Sequence, residues 1–282
     1  HSDTLSLHDA LPICGFLRLD RVELATGRGT TVDALADYGD ITQIAAAPDG
    51  DRVVLVASGP TRPVRIVEHD FAVGATRVVA RASSESVPRE ALAECEAVSW
   101  LSSDGDLAHG LYYAPASDRF EGTGKPPLVV LIHGGPTSQY RAGWNPQAQF
   151  FATRGYAVLL VNYRGSTGYG RGYMLKLRGN WGLCDMEDAT SGVRHLADAG
   201  RIDPERTVIM GGSAGGFTVL QTMTQMPECF TAGVCLYGVA NQFHLAAETH
   251  KFEAHYLDSL LGPLPQASRV YRERSPLYHA GR

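Results

Sequence analysis

Residues 207–216 read TVIMGGSAGG, a short apolar run that leads into a cluster of glycines around Ser213. The run at 207–210 predicts a buried strand, and residues 214–226 predict a helix that ends before Pro227. A serine between a strand and a helix, with glycine two residues away on each side, is typical of a nucleophile elbow. The glycines are needed because this turn is strained and leaves no room for side chains beside it. A phosphate-binding or merely tight turn is the alternative interpretation, because glycine-rich turns occur in many α/β proteins.

A second motif, His133-Gly134-Gly135-Pro136, follows the continuous apolar run Leu128–Ile132. Such a run is typical of a strand that is covered on both faces. In α/β hydrolases the loop at this point supplies one backbone N–H of the oxyanion hole, and the residue after the nucleophile supplies the other. We therefore expect Gly135 and Ala214 to form an oxyanion hole. His133 precedes the serine, so we interpret it as a structural imidazole that holds the loop.

The remainder of the carboxyl-terminal two thirds alternates strands with helices, which predicts a parallel α/β sheet. Asn145 followed by Pro146 indicates a helix start, and Gly155 and Gly200 indicate helix ends. The predicted strands are residues 97–101, 107–113, 128–132, 156–161, 207–210 and 232–236. The first two of these flank the turn Ser103-Asp104-Gly105 and predict a hairpin.

The amino-terminal third has a different pattern. Predicted strands at 51–58, 63–68 and 76–80 alternate with turns, one of them Pro48-Asp49-Gly50, which favours an antiparallel sandwich or propeller. A propeller blade takes about 40–50 residues, so this stretch holds fewer than two blades. We assign residues 14–95 to the carboxyl-terminal part of a β-propeller, with a helix-compatible linker at 82–95, and residues 96–282 to the hydrolase domain. Residues 1–13 resemble a translated sequencing adapter, with a genuine strand or loop of a longer chain as the alternative, so the fold prediction excludes them.

Composition excludes several classes of protein. The 282 residues are 44% hydrophobic and 20% charged, with a net charge of −5 and no basic block, which argues against a nucleic-acid partner. No apolar run is long enough to span a membrane. The five cysteines include no Cys-x-x-Cys pair, so we expect neither a disulfide framework nor a metal site, and reduced thiols favour a cytoplasmic protein.

Seven motifs follow one another from residue 131 onward: LIHGGP at 131–136, NYRGSTGYG at 162–170, Trp181-Gly182, GGSAGG at 211–216, YGV at 237–239, HKFE at 250–253 and RERSP at 272–276. In this order they resemble the prolyl oligopeptidase family of serine peptidases, over about residue 98 to the end of the chain. The elbow has the form seen in the acylaminoacyl- and dipeptidyl-peptidase-like members.

This resemblance implies an α/β-hydrolase catalytic domain that follows the last blades of a propeller. It implies hydrolysis of short peptides through an acyl-enzyme on Ser213, with Gly135 and Ala214 as oxyanion-hole residues and no metal or organic cofactor. Val239 and Phe243 are the implied walls of the pocket for the residue before the scissile bond. A carboxylesterase on the same fold is one alternative function, and a non-catalytic binding protein is another.

The resemblance also implies that the acid and the base of the catalytic triad follow the serine, after two later strands. The chain ends at Arg282, where the next strand is expected to begin. Acids and imidazoles do follow Ser213, among them His244, His250, His255, Asp258 and His279. A triad built from these residues is the alternative, but the motifs align them with earlier elements. We therefore expect a chain truncated at both ends, whose own activity is lost because the base is missing.

Overall fold

The computed structural model describes residues 15–48, 50–249 and 255–281. The predictions for residues 1–13, for Asp49 of the first turn and for the HKFE motif at 250–253 therefore fall on parts of the chain outside the described residues.

The amino-terminal strands form antiparallel structure, as predicted. A hairpin of β1 (Asp20–Glu23) and β2 (Arg28–Thr31) precedes a four-stranded meander. Each strand of the meander pairs with the next one along the chain, the arrangement of a propeller blade. Alternate side chains of the meander point into a small core around Val53, Leu55 and Val67. Its strands are β3 (Asp40–Ala46), β4 (Arg52–Gly59), β5 (Arg62–Asp70) and β6 (Ala75–Arg81).

The second sheet has six strands in the order β12-β11-β9-β10-β8-β7. The last four strands in the chain run parallel, while β7 and β8 form an antiparallel hairpin that joins them through β10. β9 is buried along its whole length, which explains its continuous apolar sequence. The strands are β7 (Cys95–Leu101), β8 (Leu107–Tyr113), β9 (Leu128–Ile132), β10 (Ala157–Asn162), β11 (Thr207–Gly212) and β12 (Ala232–Leu236).

Helices cover both faces of this sheet. One face packs on the long helices α3 and α4, around Leu159, Ile209 and Phe217, and the other packs on α1. Asn145 caps α1 as predicted, because its side chain accepts a hydrogen bond from the Ala148 N–H. The helices are α1 (Pro146–Ala152), α2 (Arg171–Leu175), α3 (Cys184–Asp198), α4 (Ala214–Gln225), α5 (Gln242–Glu248), α6 (Tyr256–Leu261) and α7 (Ser268–Glu273). Within the described ranges no helix is long and apolar enough to cross a membrane.

The predicted linker at 82–95 differs from expectation. It contains one short 3₁₀ turn, Arg89–Ala91, and no α-helix. Its end is buried because the Gln149 side chain binds both backbone polar groups of Ala93. Strand β7 then begins at Cys95 and enters the second sheet directly.

The direction of the parallel strands determines where the candidate site lies. Because β9, β11 and β12 run in the same direction, their carboxyl ends meet at one edge of the sheet, where ligands bind in open α/β folds. The loop after β9 carries Gly134 and Gly135, and Ser213 follows β11 directly. β12 is the outer strand of the sheet, with Val234 and Leu236 more than one third exposed.

Candidate active site

Ser213 occupies a strained turn. Its backbone lies at φ 55° and ψ −120°, a conformation that side-chain-bearing residues rarely adopt. Its N–H donates to the Leu236 carbonyl of β12 at 3.0 Å, which fixes the turn to the neighbouring strand. The next residue, Ala214, begins α4, so the positive end of the helix dipole lies beside the exposed serine.

Glycine is required around this turn for steric reasons. A Cβ on Gly215 would lie 2.3 Å from the Ile132 carbonyl oxygen, and one on Gly216 would lie 2.8 Å from the Gly238 Cα. The first turn of α4 therefore packs directly on the backbone at the end of β9 and on the loop after β12. This close approach, more than flexibility, explains the pattern of glycines at 211–216.

The predicted oxyanion loop lies next to Ser213. A Cβ on Gly134 would be 3.5 Å from the Ser213 Cβ, so the two backbones are close neighbours. Gly135 has a φ of 127°, which favours glycine. The loop at Gly135 and the amino terminus of α4 at Ala214 thus flank the serine from two sides. Their predicted role as oxyanion-hole donors agrees with this geometry and stays a prediction.

The buried His133 side chain holds this loop by a hydrogen bond to the Gly134 backbone, the structural role that the sequence predicts. Burial lowers the pKa of its imidazole to about 4, so the ring is neutral at pH 7. A neutral ring has one N–H: Nδ1 donates to the Gly134 carbonyl at 2.8 Å, and Nε2 accepts from the Ser166 hydroxyl at 2.8 Å. The ring also stacks on Tyr163 at 4.3 Å. With both nitrogens occupied, His133 cannot act as a base for Ser213.

The NYRGSTGYG motif supports the same region. The buried Tyr163 hydroxyl donates to the Pro136 carbonyl at 2.9 Å, and the Thr167 N–H donates to the Ser138 carbonyl at 2.8 Å. Arg164 is 1% exposed and forms a buried ion pair with Asp188 of α3. Tyr163 and Arg164 are therefore structural supports of this region.

A cavity of about 100 Å³ opens beside Ser213. Val239 lines it, which agrees with its predicted place in the substrate pocket. Phe243 does not: its ring packs 5.4 Å from Tyr271 in the core behind the cavity, so its predicted contact with substrate has no counterpart in the cavity wall. The other lining residues are Gly135, Pro136, Trp181, Ala214, Leu245, Thr249, Tyr256, Leu257 and Leu260.

A buried carboxyl group lies behind this cavity. Asp185, at the start of α3, accepts hydrogen bonds from the Gly182 N–H and the Thr218 hydroxyl, both at 2.6 Å. It thereby links α4 to the loop that carries Trp181 of the cavity wall. Burial raises the pKa of Asp185 to about 6 despite these two hydrogen bonds.

The structure brings no described acid or imidazole into hydrogen-bond contact with the Ser213 hydroxyl. His244 contacts Glu248, and the exposed His255 contacts Asp258, each at 3.0 Å. His279 interacts with the Glu273 carbonyl at 3.2 Å. Each of these three imidazoles thus has a partner other than Ser213. His250 lies outside the described residues.

Trp181 and Tyr256 are among the cavity residues to which the sequence assigned no role. The sequence did offer a reason to consider Trp181, because Trp181-Gly182 is one of the motifs that resemble the family. The sequence offered no such reason for Tyr256, because its partner Thr137 lies 119 positions away in the chain and no local pattern connects the two residues.

The mixed sheet, the covering helices and the strained serine between β11 and α4 define an α/β hydrolase. The profile of the prolyl oligopeptidase family matches residues 143–282, which include the serine turn and the cavity residues that follow it. The chain belongs to this family of serine peptidases.

Relatives of the chain support this membership. It is 35% identical over 159 residues to dipeptidyl aminopeptidase BIII of Pseudoxanthomonas mexicana, covering 55% of this chain and 23% of that protein. It is 40% identical over 115 residues to the acylamino-acid-releasing enzyme of Mus musculus, covering 41% and 16%. The structure of a puromycin-hydrolyzing peptidase of Mycobacterium tuberculosis matches with a TM-score of 0.88 and 36% identity, covering 94% and 41%. The chain thus spans less than half the length of each of these relatives.

Proposed function

We propose that this chain carries the nucleophile and oxyanion hole of a serine peptidase that cleaves short peptides. One observation carries the proposal: Ser213 stands exposed in a strained turn at the amino terminus of α4, directly beside the Gly134-Gly135 loop. A merely tight glycine turn would not need a serine at the strained position, nor a second glycine loop against it.

In the proposed reaction the Ser213 oxygen attacks the carbonyl carbon of the scissile bond. The amides of Gly135 and Ala214 donate to the oxyanion that forms, and a single donor of this kind is worth about 2.7–4 kcal/mol. The C–N bond then breaks, the amine leaves with a proton, and water hydrolyses the acyl-enzyme. A general base has to accept the serine proton first, and we assign that base to residues beyond the described part of the chain.

The cavity beside Ser213 indicates the kind of substrate. Its side-chain walls are mainly apolar, and none of the lining residues in the described part of the chain carries a charge. We therefore assign it to an uncharged, apolar side chain on the residue before the scissile bond, with Val239 as one wall. The strands before residue 95 are assigned to the last blades of a propeller that restricts access to small peptides.

A reducing compartment fits the cysteines. In the described residues Cys95, Cys184, Cys229 and Cys235 are all free thiols, and burial raises the pKa of Cys95 and of Cys184 to about 12. We propose a cytoplasmic protein on this basis, because free cysteines are the rule there.

The test uses the complete product of the gene and a panel of peptide p-nitroanilides with free or blocked amino termini, together with p-nitrophenyl esters. We expect hydrolysis of the peptide substrates and covalent labelling by a fluorophosphonate. Ser213→Ala should abolish labelling and reduce kcat by about 10⁶-fold, as loss of a catalytic serine does elsewhere. Ser84→Ala, at an exposed serine in the loop after β6, is the control.

Two results would contradict the proposal. Peptide hydrolysis that survives Ser213→Ala would remove Ser213 from the reaction. Hydrolysis of esters without any cleavage of peptides would favour the carboxylesterase.

A further inference from the structure

Tyr256 links the wall of the cavity to the oxyanion loop. It is the first residue of α6, and its half-buried ring lines the cavity beside Ser213. Its hydroxyl lies 2.6 Å from Thr137 Oγ1 and accepts a hydrogen bond from the Thr137 N–H at 3.2 Å. Thr137 follows Gly135 by two residues, so this contact bears on the position of the Gly135 amide.

The other supports of the loop are of a different kind. The Tyr163 hydroxyl and His133 hold it from the fully buried side, and Thr167 holds it through a backbone hydrogen bond at Ser138. None of these three residues lines the cavity. Among the supports in the described residues, Tyr256 is therefore the one that a substrate side chain can touch.

We propose that Tyr256 is a positioning residue that couples occupancy of the cavity to the placement of the oxyanion-hole amide. A side chain that fills the cavity packs on the Tyr256 ring and keeps its hydroxyl on Thr137, which holds Gly135 in place. A substrate with glycine at this position leaves the ring free to move. The coupling rests on the proposed function, and it predicts that selectivity is expressed in kcat more than in KM.

Tyr256→Phe isolates the coupling, because it keeps the ring and the cavity wall but removes the hydroxyl. On the complete gene product we expect kcat for a substrate with leucine before the scissile bond to fall about threefold to tenfold, the value of one neutral hydrogen bond. KM should change less than twofold, and the kcat for the glycine analogue should stay nearly constant. The kcat ratio between the two substrates is the decisive quantity.

Thr137→Val and Tyr156→Phe complete the set. Adding Thr137→Val to Tyr256→Phe should cost less than the sum of the single changes, because each single change already removes the contact that the two residues share. Tyr156 stands before β10, at the opposite edge of the sheet, so its substitution should leave the kcat ratio unchanged. Equal loss on leucine and glycine substrates, or a rise in KM alone, would make Tyr256 only a wall of the cavity.

Amide hydrogen exchange tests the contact without any turnover. In Tyr256→Phe the peptide that covers residues 133–138 should exchange faster than in the unchanged protein, and in Tyr156→Phe it should not. Unchanged exchange would overturn the coupling even if the protein is an active peptidase. Absence of peptidase activity in the unchanged protein would instead contradict the proposed function, whereas faster exchange would still support the contact.

Discussion

Asp185 is a carboxyl group that has no access to water. Its pKa in the folded protein is about 6, raised from an ordinary value of 3.8 because burial penalises the charged form. Since the folded state binds this proton more tightly than the unfolded chain does, the associated stability is complete below pH 3.8 and is lost as the pH rises through 6. The group behaves in the opposite way to an exposed carboxylate that is paired with an arginine.

Asp185→Asn therefore has a pH-dependent effect. The amide cannot ionise, so the variant does not lose stability between pH 4 and pH 7, and its free energy of unfolding relative to the unchanged protein should rise by up to about 3 kcal/mol over this interval. Chemical denaturation at several pH values measures the difference. Asp203→Asn is the control of opposite sign, because the hydrogen bond from Arg206 lowers the pKa of the partly exposed Asp203. A difference for Asp185→Asn that is independent of pH would contradict the assigned pKa.

At the scale of elements, the junction of β11 and α4 explains two glycines that look alike in the sequence. A Cβ at Gly215 would meet the Ile132 backbone at 2.3 Å, which cannot move without disturbing β9. A Cβ at Gly212 would meet the ring of Tyr237 at 2.8 to 2.9 Å, and that side chain is 83% exposed and can swing away.

Gly215→Ala should thus destabilise the protein by about 3 kcal/mol or more, while Gly212→Ala should cost less than about 1 kcal/mol. Urea denaturation compares the two variants directly. If both cost the same, the packing of α4 on the end of β9 would not be the reason for glycine at 215.

Much at this scale could be predicted from the sequence, because the signals are local. Local patterns predicted the strands β9 and β11, the helix start at Asn145 and the turn at 211–216. The structure has each of these elements within a few residues of the predicted bounds. Contacts between distant residues left no such signal, as with Tyr256 and Thr137 or Gln149 and Ala93. The sequence also could not place Phe243, because an apolar residue after β12 suits the core and the cavity wall equally well. The structure packs its ring against Tyr271.

At the scale of the whole molecule, one side chain does much to join the meander to the six-stranded sheet. Gln149 of α1 is 3% exposed, and its amide nitrogen donates to the carbonyls of Pro60 and Ala93 at 3.0 and 2.7 Å. Its amide oxygen accepts from the Ala93 N–H at 3.0 Å. An ion pair between Arg141 and Asp40 adds a second, more exposed contact between the same parts.

Gln149→Leu should leave three buried backbone groups without a partner, at about 1 kcal/mol or more each. We expect a loss of at least about 3 kcal/mol, and faster proteolysis within residues 82–94 because Ala93 is released. Gln147→Leu is the matched control, since Gln147 is exposed on the same helix and its side-chain amide donates to Met210 Sδ, not to a backbone group of residues 60 or 93. Equal protease sensitivity of the two variants would show that Gln149 does not join the two parts.

The position of β9 has a consequence for synthesis on the ribosome. This strand lies between β10, which is made soon after it, and β11, which is made much later. Until residues 207–212 have left the exit tunnel, one edge of the most apolar strand offers its backbone groups to any other nascent chain. Translation speed between β10 and β11, and chaperones that shield open strand edges, should therefore decide how much of this protein a cell recovers in native form.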